Sequence, residues 1–312
     1  MKTILIAGGC GFIGSNLCKK LINNNILCMD NLQTGSIENI KELLNKSNFK
    51  FINHDIINNI NIEERIDEIY NCACPASPEK YQTNPINTLD VNYIGTKNLL
   101  ELSKNKKSKF LQCSTSEIYG DPNISPQNEF YRGNVNTIGP RSCYDEGKRV
   151  AETLVIEYNK KYKIKTYIVR IFNTYGEFMD KNDGRVVSNF INQMIDNKDI
   201  TIYGNGTQTR TFCYIDDLIL GLIKLMQSDY RLPINIGNDK EITINELVNI
   251  LKKKISSKSK IVYKDLPIDD PKQRNPDISL AKKILNWEPK TDIEEGLKKT
   301  ISYFNLINNK IN

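Results

Sequence analysis

A chain of 312 residues, 39% of them hydrophobic, can bury a sizeable core and has the length of roughly two domains. Its +6 charge comes largely from lysine runs at 103–109 and 251–260, which solvated helix ends explain; the interleaved arginines and aromatics of a nucleic-acid binder are not evident. Eight cysteines without a CxxC pair, and the single histidine His54, argue against a metal site or disulfide framework and for reduced thiols in a cytoplasmic compartment.

The start, MKTILIAGGCGFIG, imitates a signal peptide, but its apolar run is short and flows into glycines. No stretch approaches the ~18 apolar residues of a membrane span, so no membrane association is expected. Residues 3–8 read as a buried strand, and Phe12, Ile13, Leu17, Leu21 and Ile22 then recur at helical spacing. Further strands are expected at 26–30, 49–56, 66–73, 109–115 and 165–173, with helices near 88–104 and 144–162. That alternation predicts an α/β fold, a Rossmann-type doubly wound parallel sheet. After about residue 174 the rhythm changes, with helices expected at 184–197 and 243–255 and short strands at 200–204 and 211–217. The division that follows is a dinucleotide-binding domain over 1–173, to which part of 208–236 returns, and a smaller interleaved C-terminal substrate lobe over 174–312.

Gly8, Gly11 and Gly14 form a GxxGxxG turn between the first strand and a helix opening at Phe12 and Ile13. Without Cβ atoms such a turn lets the backbone approach a pyrophosphate at the helix N-terminus. Asp30 ends the second strand, where a carboxylate accepts from an adenosine ribose and repels a 2′-phosphate, favouring NAD over NADP. Asn31 follows it, and Asp55 and Ile56, after the third strand, are candidates for the adenine edge.

Tyr144 and Lys148 are spaced i, i+4 on one helix face. An ammonium beside a phenol lowers the phenol's pKa, which would make Tyr144 a usable base. Upstream, KFLQCSTSEIYG delivers Thr115, Ser116 and Glu117 at the end of a strand, where an active-site rim is expected.

The glycine turn, Thr115 and the YxxxK pair together resemble the extended short-chain dehydrogenase/reductase superfamily across essentially the whole chain. The longer segments ACPASPEKY, STSEIYGDP, GNVNTIGPRSCYDEGKR, RIFNTYG, DGRVVSNF, YGNGTQTR and NPDIS are similar to the UDP-glucuronate decarboxylase (UDP-xylose synthase) family. The resemblance implies a catalytic set of Thr115, Glu117, Tyr144 and Lys148, acting with bound NAD on a UDP-sugar. It also implies that Asn173, Arg210 and Arg274 hold the diphosphate and neighbouring sugar, that Tyr81, Ser116, Tyr203 and Arg185 lie by the substrate, and that the protein is a homodimer paired through the helices near 88–104 and 144–162. Cys10, Asn71 and Cys72 depart from the family pattern close to the cofactor.

Sugar-nucleotide 4,6-dehydratases resemble this chain but carry Asp then Glu after the catalytic Thr. Ser116 replaces that first acid. A substrate whose C6 is already a carboxylate needs no acid for a departing hydroxide, and a second carboxylate would repel it. Decarboxylation is therefore expected. The rivals are a 4,6-dehydratase or 4-epimerase, an enzyme that releases the 4-keto pentose with NADH, and a non-catalytic NAD-sensing scaffold.

Overall fold

Short apolar segments, each flanked by glycine or polar residues, build one parallel sheet in the computed structural model, which describes residues 1–265 and 273–309. In chain order the strands are β1 (Thr3–Ala7), β2 (Asn25–Asp30), β3 (Phe49–Asn53), β4 (Glu68–Asn71), β5 (Lys109–Thr115), β6 (Thr166–Ile171), β7 (Thr174–Tyr175), β8 (Ile200–Tyr203), β9 (Thr209–Thr211), β10 (Cys213–Tyr214), β11 (Ile234–Ile236), β12 (Glu241–Thr243) and β13 (Ile261–Lys264). Seven of them pair in the order β11-β6-β5-β4-β1-β2-β3, and every pairing in this sheet is parallel. Order reverses beside β1, between β2 and β4, which places the ligand crevice of a doubly wound sheet at the carboxyl ends of those strands.

The helices are α1 (Phe12–Lys20), α2 (Pro78–Tyr81), α3 (Pro85–Asp90), α4 (Thr96–Lys106), α5 (Ser142–Tyr162), α6 (Val186–Ile195), α7 (Ile215–Gln227), α8 (Ile244–Lys254), α9 (Ser279–Leu285) and α10 (Ile293–Asn309). Alternation along each strand feeds two cores, because successive side chains point to opposite faces. Ile4 and Ile6 pack with Leu17 of α1 and Leu218 and Leu222 of α7, whereas Leu5 and Ala7 pack with Leu99 of α4 and Val155 of α5. None of the described helices is long and apolar enough to cross a membrane.

The expected strands at 26–30, 109–115 and 200–204 match the observed ones closely, and 49–56 ends early, at Asn53. The segment 211–217 divides: β9 ends at Thr211, β10 takes two residues, and Asp216 and Asp217 already lie in the first turn of α7. Two acidic residues at a helix N-terminus suit its dipole. The sequence expectation missed this helix, although Ile215, Leu218, Ile219, Leu222, Leu225 and Met226 recur at helical spacing on its buried face. The expected helix at 88–104 is interrupted by a π-helical turn at Val91–Gly95. Trp287, the single tryptophan, is buried after α9 and donates from its indole Nε1 to the Asp217 carbonyl (2.9 Å).

Candidate active site

A cavity of about 940 Å³ opens along the carboxyl ends of β1, β2 and β4, lined by Gly8, Gly11, Phe12, Ile13, Gly14, Asp30, Asn31, Asp55, Ile56 and Arg185 among others. Backbone fixes its floor. Gly8 has φ +74°, and a Cβ there would stand 2.7 Å from the Ala73 nitrogen; at Gly14 it would stand 2.1 Å from the Gly8 carbonyl oxygen. No side chain fits either position, and the bare loop leaves room for a pyrophosphate above the start of α1. Asp30 accepts from the Cys10 amide (2.9 Å) through one oxygen and the Leu32 amide (2.8 Å) through the other. Burial raises its pKa, while these two amides pull it back. Each oxygen keeps a lone pair for ribose hydroxyls, so these residues fit a dinucleotide. Asn31 donates to Asp55 (2.8 Å), tying the ends of β2 and β3 together beside the cavity.

The departures from the family pattern are absorbed by packing. The Cys10 and Cys28 sulfurs lie 3.9 Å apart and those of Cys72 and Cys113 3.5 Å apart, while Asn71 donates to Gln112 (2.9 Å) inside the sheet.

Beyond the cavity, β5 ends at Thr115, whose hydroxyl accepts from the Glu117 amide (3.3 Å) and caps a short 3₁₀ turn over Ser116–Tyr119. Helix α5 faces this strand with Tyr144, Lys148 and Glu152, three buried residues at successive i, i+4 positions. Lys148 donates to the Cys113 carbonyl (3.0 Å) and Glu152 accepts from Ser114 (2.6 Å). Tyr81 of α2 stacks on Tyr144 with ring centroids 4.8 Å apart and planes 7° off parallel. The Tyr81 hydroxyl is buried with no hydrogen-bond partner among the described residues.

The electrostatics of Tyr144 differ from the sequence expectation. Burial holds the phenol's pKa well above the ordinary value, and nearby Cys74 and Glu117 add to the rise; a hydrogen bond with Thr115 and the charge of Arg185 oppose it. Lys148 donates from its ammonium to the Cys113 carbonyl and sits 5.7 Å from the centre of the Tyr144 ring.

Glu117 is the most strongly paired carboxylate of the site. Arg274 forks onto it at 3.0 and 2.8 Å and also donates to the Gly120 carbonyl (2.6 Å), while Arg141 binds it from the other side. Ser116 lies within hydrogen-bond reach of the same carboxylate (3.3 Å). Burial alone would raise the Glu117 pKa, but Arg274 and then Arg141 overcome it and bring the group down to about 2. Gly120 closes the turn at φ +62°, where a Cβ would overlap the Asn134 carbonyl. Asp145, next along α5, goes the other way. Burial, then the charge of Glu117, pushes it up to about 7, against the pull of Arg141 and Arg274, and its Oδ1 has no partner among the described residues.

Among the expected substrate residues, Arg185 caps α6, holds Asp183 (2.7 Å) and lines the cavity. Arg210 lies on β9 opposite Ile242 of β12, Tyr203 is exposed at the end of β8, and the Asn173 carbonyl accepts from Cys213 (2.9 Å) between β6 and β7. These three therefore sit in the C-terminal part of the chain and at its junction with the sheet. Arg141 is the site residue that sequence reasoning missed. Its signal was available: an arginine three residues before Tyr144 lies less than one helical turn away.

The chain is similar to known proteins along most of its length. The model of the GDP-mannose 4,6 dehydratase family matches residues 5–300. UDP-glucuronic acid decarboxylase 1 of Danio rerio is 49% identical over 305 residues, 97% of this chain and 72% of that protein. The Arabidopsis thaliana protein of the same name is 48% identical over 303 residues, 96% of this chain and 69% of that one. The chain belongs to the UDP-glucuronic acid decarboxylases within this dehydratase-type family. Solved structures share the fold. The Thermotoga maritima UDP-glucose 4-epimerase with UDP-glucose aligns at a TM-score of 0.89 with 29% identity, covering 98% of this chain and 99% of that one. The Bacillus cereus UDP-glucuronic acid 4-epimerase with UDP-glucuronic acid and NAD aligns at 0.85 with 28% identity and the same coverage.

Proposed function

We propose that the protein decarboxylates UDP-glucuronate to UDP-xylose through a UDP-4-keto sugar, redox-neutral overall, with NAD held in the cavity by the glycine turn and Asp30. The observation that carries this reading is Ser116 beside an arginine-paired Glu117. A carboxyl group held down to about 2 is ionised at neutral pH and cannot act as the acid that a departing 6-hydroxide requires. A dehydratase needs that acid, and a decarboxylase does not.

Bound NAD supplies a hydride acceptor for C4 of the sugar and returns the hydride after CO2 has left. Tyr144 takes the 4-hydroxyl proton, and Thr115, whose hydroxyl opposes the rise of the Tyr144 pKa, holds the same oxygen. A 4-ketone lies β to the C6 carboxylate, so loss of CO2 sends its electrons into an enolate that Tyr144 and Thr115 stabilise as donors. Lys148 keeps Tyr144 in register by fastening α5 to the Cys113 carbonyl. Glu117, fixed by Arg274, stays ionised and positions the ring and a water that protonates C5.

Residues 174–312 are assigned mainly to the UDP-sugar lobe, with Asn173, Tyr203, Arg210 and Arg185 as its contacts. Exposed Ile86, Tyr93 and Ile94, beside α5, suit a second copy of the chain and hence a homodimer. Eight free cysteines suit a reducing, cytoplasmic compartment. Incubating the protein with UDP-glucuronate, with and without added NAD+, tests the reading. CO2 with UDP-xylose and no net NADH is expected. CO2 with rising NADH would mean that the 4-keto pentose escapes, and turnover of dTDP-glucose alone would make the protein a dehydratase.

A further inference from the structure

Arg274 must be held from somewhere if its fork is to meet Glu117 squarely, and its backbone neighbours show how. Pro276 has no N–H, so the pairing of this segment rests on the amides of residues 275 and 277. Both end on Gln127, a fully buried residue more than 140 positions earlier in the chain. The Gln127 N–H donates to the Asn275 carbonyl (2.8 Å), its carbonyl accepts from the Asp277 amide (2.8 Å), and its side-chain Oε1 accepts from the Asn275 amide (3.0 Å). The remaining side-chain group, Nε2, donates to the Ile124 carbonyl (2.7 Å) and so aims Oε1 at its partner.

A second buried residue joins this clamp to Glu117. Asn235 of β11 donates to the carbonyls of Gln127 (3.0 Å) and Asp277 (3.2 Å), and its Oδ1 accepts from the Tyr119 hydroxyl (2.8 Å). Tyr119 belongs to the same 3₁₀ turn as Glu117. Both halves of the Arg274–Glu117 pair are thus fastened to one hydrogen-bonded frame, Arg274 through Gln127 and Glu117 through Tyr119.

We infer that Gln127 is a positioning residue that sets the Arg274 guanidinium against Glu117. The inference rests on the decarboxylase reading of that pair. A bidentate fork tolerates little displacement, and a shift near 1 Å at a reacting group costs on the order of 100-fold in rate. Gln127→Met keeps length and volume but removes both side-chain hydrogen bonds. The expected result is a kcat on UDP-glucuronate lower by ~10-fold or more, with KM and NAD binding changed by less than about threefold. The acid limb of kcat/KM moves to higher pH, since among the described ionisable groups around Glu117, which besides Arg274 are Arg141, Asp145, Tyr81 and Tyr144, Arg141 is then the cation left to hold it ionised. Gln127→Glu, which keeps the acceptor for the Asn275 amide and can donate to the Ile124 carbonyl only while its carboxyl is protonated, recovers rate toward low pH. An unchanged acid limb, or a loss that only follows falling NAD affinity and melting temperature, overturns the inference. Should Gln127→Met fail to fold, Gln127→Asn, which draws the acceptor back by one methylene, is put to the same measurements. A wild-type protein inert toward UDP-glucuronate would instead sink the decarboxylase reading. The clamp then remains readable as hydrogen exchange at residues 274–278, which must quicken in Gln127→Met; an unchanged exchange rate there also overturns it.

Discussion

The two ends of the active site are made of different material. At the cofactor end the chain itself does the holding: a glycine-rich turn, amide groups and one carboxylate, all drawn from residues 8–32. At the sugar end charged side chains do it, and Glu117 meets partners 24 and 157 residues away in the chain. Backbone cannot be exchanged but is specified locally, whereas an ion-pair cluster depends on distant segments arriving together. The first kind of site should fail by steric exclusion, the second by electrostatic imbalance.

The sharpest way to break the comparison is Tyr144→Phe, which removes the one group whose proton moves. Turnover of UDP-glucuronate should fall ~1,000-fold or more while NAD binding persists, because general acid–base catalysis contributes ~100- to ~10,000-fold. Arg274→Met comes next. It leaves Glu117 with half its pairing, and kcat should drop by about 100-fold with the glycine turn untouched; preserved NAD affinity alongside lost activity would mark the two ends as separable. At the cofactor end, Asp30→Ala should weaken NAD ~10-fold and narrow the preference over NADP, measured by titration of each nucleotide.

The smallest effect is on stability. Because Asp145 titrates near 7 in the folded protein and 3.8 is its ordinary value, its ionisation costs stability increasingly as pH rises from about 4 to about 7. Glu117 has the opposite sign: its pairing stabilises the fold above about 4.5, and that contribution is lost as pH falls toward 2. Asp145→Asn should therefore gain ~1 kcal/mol at pH 8 and nothing near pH 4, as read by melting at the two pH values. A gain of equal size at both would remove the charge argument.

The contrast also explains what could be read before the fold was known. The glycine turn, β1 and Asp30 lie within one strand-helix-strand unit, so their spacing carried the information. Strand β5 was legible to the residue because its apolar run ends in a hydroxyl cluster. Helix α7 was missed although its buried positions keep helical spacing, because the strand-like residues of β10 run straight into it. The pairing of Arg274 with Glu117 was equally hidden. Family resemblance placed Arg274 near the diphosphate, but which carboxylate it grips is a tertiary fact, and no spacing encodes it. Likewise the i, i+4 spacing of Tyr144 and Lys148 gave a shared helix face correctly, yet the direction of the ammonium was decided by a strand carbonyl.

Trp287 turns the architecture into an optical instrument. With one indole in the chain, buried against α7 and bonded to the Asp217 carbonyl, intrinsic emission reports a single place. In denaturant its red shift will date the loosening of α7 from the C-terminal segment. If the glycine turn releases nucleotide at lower denaturant than that shift, the two halves of the chain melt as separate cooperative units; if the curves coincide, α7, packed on both α1 and the segment after α9, binds them into one.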